Sequence, residues 1–70
     1  MRNEHILRLP QVEAATGLKR ERIRQLEVAG RFPRRLNIVD GGRAVGWVES
    51  EVQHWVAERI ERARSARAAA

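Results

Sequence analysis

The stretch ATGLKRERIRQLEVAG, residues 15–30, decides the fold. Thr16 and Gly17 end one helix, and Gly17 suits the left-handed residue that commonly stops a helix. Leu18 turns inward as a core contact. Arg20 to Ala29 then reads as a second helix, closed by Gly30. Ile23 and Leu26 lie three apart on one face, which Ala29 extends. The opposite face carries Glu21, Arg24 and Gln25, with Arg20 and Arg22 at its flanks. Two helices separated by so short a turn form a helix-turn-helix.

Upstream, Pro10 fits the first helical position, where its missing N–H costs nothing. Gln11 to Thr16 follow as a short helix that presents Val12 and Ala15 for burial. Downstream the period changes. Phe32-Pro33 requires extended or turn backbone, and Leu36, Ile38 and Val39 suit a strand. Asp40-Gly41-Gly42 is a hairpin turn signal, with Arg43 to Trp47 as the returning strand. Such a two-stranded hairpin is marginal alone and must lean on the helices. In the last segment Val52, Trp55, Val56 and Ile60 follow a helical period. Glu49 and Glu51 stand near its start, and Arg59, Arg62, Arg64 and Arg67 toward its end, as the macrodipole favours. Glu58 and Arg62 form a favourable i, i+4 pair. The alanines from Ala66 to Ala70 bury little and are expected to fray. The expected fold is mainly α with a small β-hairpin: a winged helix-turn-helix, one domain over residues 1–65 and a frayed tail over 66–70.

Seventy residues are near the lower limit for a domain without staples, and cysteine is absent. The core must come from aliphatics together with Phe32, Trp47 and Trp55. Met1 to Leu9 is too charged for a signal-peptide core, and no apolar run could span a bilayer. A cytoplasmic, nucleoid-associated protein is expected. The net charge of +5 is localised: residues 17–35 hold seven basic and two acidic residues, whereas residues 36–70 hold five of each. A local excess of this kind points toward a polyanion.

The second helix is charged against its own stability. Lys19, Arg20 and Arg22 crowd an N-terminus where the macrodipole is already positive. Arg20 and Arg24 are like charges at i, i+4, which cost about 0.2–0.5 kcal/mol. The last helix follows the rule that this one breaks, and rule-breaking without structural gain marks function. A phosphate at that N-terminus reverses the penalty. The second helix of a helix-turn-helix offers its N-terminal residues to the major groove of double-stranded DNA. Arginine there reads guanine and glutamine reads adenine. The candidate base-reading residues are Arg20, Glu21, Arg24 and Gln25. Lys19, Arg22, Arg31, Arg34, Arg35 and Arg43 are candidates for phosphate or wing contacts, Arg43 just past the hairpin tip. The bland alternatives are a solvated basic helix and, for Arg34 and Arg35, charges that protect a sheet edge from aggregation.

In order along the chain, Ile6-Leu7-Arg8-Leu9-Pro10, Thr16-Gly17-Leu18, Ala29-Gly30-Arg31-Phe32-Pro33, Gly42-Arg43-Ala44-Val45-Gly46-Trp47, Glu49-Ser50-Glu51-Val52 and Trp55 resemble the AlpA family of phage regulatory proteins. The likeness runs from about Ile6 to Ile60. It implies a MerR-like winged-helix fold and a role in transcription of prophage or integrative-element genes, sometimes linked to excision. Two positions depart from the family's pattern. Lys19 stands where a helix-capping serine is usual, and Arg35 replaces a frequent second proline in a hairpin that is longer than usual.

Trp47 and Trp55 could stack on bases, but their positions favour the core. His5 and His54 are far apart and lack further metal ligands. Glu51 and His54, at i, i+3, are an ordinary exposed pair. There is no nucleophile–base set and no phosphate-cradling glycine loop, so neither an enzyme, a cofactor nor a small-molecule ligand is expected. Three readings remain open: a transcription regulator, an architectural excision factor that bends DNA, and a protein–protein adaptor that docks through the last helix. If roughly five phosphates are neutralised, the salt slope of DNA binding is near −4 to −5. A homodimer or cooperative neighbours would supply specificity that one small winged helix lacks.

Overall fold

A computed structural model describes residues 4–69. Six elements follow one another: β1 (Ile6–Leu7), α1 (Leu9–Thr16), α2 (Arg20–Val28), β2 (Leu36–Asn37), β3 (Val45–Val48) and α3 (Glu49–Ala69). The architecture is three helices with a small antiparallel sheet, mainly α with a hairpin wing, compatible with a winged helix-turn-helix.

Local chemistry sets the helix ends. Helix α1 starts at Leu9, one residue before the expected first position, which makes Pro10 its second residue. The Gln11 side chain permits this, because its Oε1 accepts the Arg8 N–H at 2.8 Å. Gly17, at φ 74°, ends α1 as expected. In the turn, Thr16 Oγ1 donates to the Val12 carbonyl at 2.8 Å and accepts the Leu18 N–H at 3.2 Å. Gly30, at φ 73°, closes α2, with the Arg31 N–H reaching back to the Leu26 carbonyl at 2.8 Å. This is the six-residue loop-back that satisfies end carbonyls.

The sheet has one strand more than the hairpin implies. Its order is β1-β3-β2, so β3 lies at the centre. Ile6 pairs with Val48 and Leu7 with Trp47 on one edge; Leu36 pairs with Gly46 and Asn37 with Val45 on the other. Beyond β2, the Ile38 N–H still bonds the Ala44 carbonyl, while Val39 enters the turn and receives the Gly42 N–H. The left-handed residue of that turn is Gly41.

The core is one cluster of Val12, Ile23, Phe32, Trp47 and Val52, with Leu7, Leu9, Leu18, Leu26, Trp55 and Val56 packed around it. Trp47 and Phe32 are therefore core residues. Trp55 is half-buried, meets Phe32 edge-on at 4.9 Å, and donates its Nε1–H to the Arg31 carbonyl at 2.7 Å. Ala15 and Ala29, expected to face inward, are exposed. Helix α3 leaves the core after Val56; every residue from Ala57 to Ala68 is exposed. The helix continues to Ala69, through most of the Ala66–Ala70 stretch expected to fray; Ala70 lies outside the described residues. His54 pairs with Glu58 at 3.0 Å, in place of Glu51, and so takes up the carboxylate expected to face Arg62.

Candidate nucleic-acid interface

Helix α2 turns Ile23 fully into the core and half-buries Leu26 and Glu27. This fixes the rotation of the helix, and everything else on it points outward. Lys19, Arg20, Glu21, Arg22, Arg24 and Gln25 are all exposed. No described acid forms an ion pair with Lys19, Arg20, Arg22 or Arg24; among the described residues Arg35 is ion-paired to Glu27, and His54 Nε2 lies 3.0 Å from Glu58.

The N-terminus of α2 carries a feature that the sequence did not reveal. Lys19 occupies the cap position in extended backbone and makes no side-chain capping bond. Instead Glu13, on α1, reaches across the turn and accepts the Arg20 N–H at 3.0 Å. A carboxylate from the preceding helix thus does what a capping serine would do. The helix end is already partly neutralised, so an anion there adds to Glu13 and does not stand alone.

The expected base-reading residues divide. Arg20, Glu21 and Arg24 line an open groove together with Glu27, Val28, Arg34 and Arg35. Gln25 lies outside that groove, where its Oε1 accepts from Arg22 Nη1 at 3.4 Å. The basic run of Arg31, Arg34 and Arg35 divides as well. Arg31 lies outside that groove and lines a recess beside α3 with Leu26, Phe32, Trp55 and Arg59. Arg34 faces the α2 groove. Arg43 is exposed beside the hairpin turn.

Arg35 is exposed but paired within the chain. Its guanidinium meets Glu27 at 2.5 Å from Nη2 and 3.1 Å from Nε, and its backbone N–H donates to the same carboxylate at 3.0 Å. The guanidinium also lies over the Trp47 ring, 5.1 Å from its centre. Expected as a phosphate or wing contact, Arg35 is engaged by Glu27 and ties α2 to the start of the wing, while its side chain stays 41% exposed along the same groove. Burial works to raise the pKa of Glu27, but the side chain, backbone N–H and charge of Arg35, helped by the nearby Trp47 N–H, hold it below the ordinary value. The hydrogen bonds to Glu27 correspondingly raise Arg35, against the opposing effect of burial.

No helix is long and apolar enough to cross a membrane, and no group of three or more potential metal ligands occurs, among the described residues.

Residues 5–60 match the family model described as prophage CP4-57 regulatory protein (AlpA). The chain is also similar to an uncharacterized protein, ORF88, of Enterobacteria phage P4, with 42% identity over 57 residues. That match covers 81% of this chain and 62% of the phage protein's length. No solved structure matches the chain.

Proposed function

The chain belongs to the AlpA family of prophage regulatory proteins, and from that premise we propose that it is a sequence-specific DNA-binding regulator of transcription. Helix α2 enters the major groove. Arg20, Glu21 and Arg24 meet base edges, and Gln25 joins them from the flank once Arg22 turns to a phosphate. Lys19, Arg22 and Arg34 hold the backbone, and Arg43 takes the backbone or minor groove at the wing tip. Arg31 and Arg35 stand apart from this set, because one faces α3 and the other is bound to Glu27.

One observation carries the reading: four cations crowd the outer face of α2 and its cap in water, and none is ion-paired to an acid among the described residues. A folded chain gains nothing from that crowding, whereas a duplex supplies phosphates to neutralise it. The test is the double substitution Arg20→Ala with Arg24→Ala. Neither side chain touches the core, so the circular-dichroism spectrum is expected to stay unchanged while specific binding is lost. Unchanged affinity at moderate salt would exclude α2 as the reading helix. Footprints at a promoter support transcription control; phased footprints beside an attachment sequence would favour the excision reading.

A further inference from the structure

Val28 has no structural reason to be valine. It is the last residue of α2 and is 81% exposed, more than any other large apolar side chain among the described residues; Val39, next, is 59% exposed. Ile6, Leu36, Ile38 and Ile60 each keep more than half of their surface covered. A β-branched residue is a weak helix former and gains nothing from burial here. The last turn of α2 is where a basic residue would complement the macrodipole, and the turn has none.

The surroundings say what this apolar point faces. Val28 follows Arg24 by four residues and Glu21 by seven, so the three share one stripe of the helix. All three line the same groove, together with Arg20 and Arg34. An apolar protein partner would have to bring acids to meet those arginines. A duplex brings phosphates on both sides of its base edges. The apolar group that the floor of the major groove offers is the C5 methyl of thymine.

We infer that Val28 is a specificity residue that reads a thymine methyl in the site bound by α2. The inference rests on the DNA-reading proposal above. At a rise of about 1.5 Å per residue, Val28 lies ~6 Å beyond Arg24 along the helix. The methyl it touches therefore belongs to a base pair other than the one Arg24 contacts.

The experiment starts from a site selected from random duplex DNA by the full chain. Each thymine in that site is replaced singly by deoxyuridine, which removes only the methyl group, and affinity is measured by fluorescence anisotropy at fixed salt. Wild type is expected to weaken about fourfold at one thymine, the worth of one buried methylene-sized group. Val28→Ala is expected to bind the thymine and uracil sites equally, at about the wild-type affinity for uracil. A selected site without a uracil-sensitive thymine overturns the inference and leaves the DNA-reading proposal standing. So does a sensitivity that persists undiminished in Val28→Ala, because another side chain then touches the methyl. Failure to select any preferred sequence sinks the DNA-reading proposal, and this inference with it.

Discussion

Glu27 gathers on one carboxylate the backbone N–H, Nε and Nη2 of Arg35, eight residues downstream, with the Trp47 ring beneath the guanidinium. Glu27 is well covered, its side chain 10% exposed, whereas that of Arg35 is 41% exposed and in reach of water, which screens the charge–charge part. Loss of the clamp by Glu27→Gln is therefore expected to cost about 1 kcal/mol of stability at neutral pH, the scale of one partly buried, charge-assisted bond after screening. The pH dependence has a definite sign. A carboxyl with a lowered folded pKa gives stability that is present above its unfolded value, ordinarily 4.5, and is lost as pH falls through the folded value. Urea unfolding at pH 7 and again below pH 4 should show the gap between wild type and Glu27→Gln narrowing in acid; an equal gap at both would mean that the carboxylate's charge is irrelevant. The residue types alone could not show this pair. No helical or strand period links positions 27 and 35, and a basic run reads as a free cation patch until the fold sets one member against an acid.

Between elements, two contacts determine how the site is held. At the centre of β3, Gly46 lies where both edge strands close in: a Cβ there would collide with Ile6 Cγ2, lie 2.8 Å from the Leu7 carbonyl oxygen and 3.2 Å from Ile38 Cδ1. Gly46→Ala is expected to destabilise the fold by about 1–3 kcal/mol through overpacking, with a lower thermal midpoint as the readout; an unchanged midpoint would mean that the three strands part easily. At the other end, Glu13 caps α2. Glu13→Gln keeps an oxygen for the Arg20 N–H but removes the charge. It should lower stability by only about 0.5 kcal/mol and raise DNA affinity about twofold at low salt, since a carboxylate beside the phosphate track is repulsive. Weaker binding by Glu13→Gln would show that capping matters more than repulsion. The three helices, the turn between α1 and α2 and the two helix-ending glycines were legible because periodicity and glycine chemistry are local. Strand β1 was not, because two residues have no period and Ile6–Leu7 becomes a strand only by lying against β3. Ile38 and Val39 read as strand by composition, yet β2 ends at Asn37: Ile38 keeps one cross-strand bond to Ala44 and Val39 already enters the turn. For the interface, sequence placed the cations on the outer face of α2 and left their neighbours unread: Glu13 at the cap, Glu27 under Arg35, and Val28 in the groove.

Across the whole molecule, the positive charge is concentrated in the first half of the chain, but the fold does not turn all of it the same way. Lys19, Arg22 and Arg34 accompany α2, Arg43 stands at the wing turn, Arg31 faces α3, and Arg35 is paired. Four cations are then left for phosphates, fewer than the charge run alone implies. With a slope of about −0.9 per neutralised phosphate on duplex DNA, log K should fall with log salt at about −3.6, shallower than −4 to −5. Arg34→Ala should reduce the steepness by about 0.9 and weaken all sequences alike, while Arg31→Ala, whose backbone carbonyl still holds Trp55, should leave it unchanged. Titrations across a series of salt concentrations measure both. A wild-type slope steeper than about −5 would mean that further cations are neutralised. The exposed end of α3, with Arg59, Arg62, Arg64 and Arg67, is then the surface to test next, since it extends past the core in a molecule 48 Å long and 20 Å thick. A slope that falls equally for Arg31→Ala and Arg34→Ala would instead put DNA against both faces of the Phe32-Pro33 loop, and the division of the arginines between α2 and α3 would no longer define the interface.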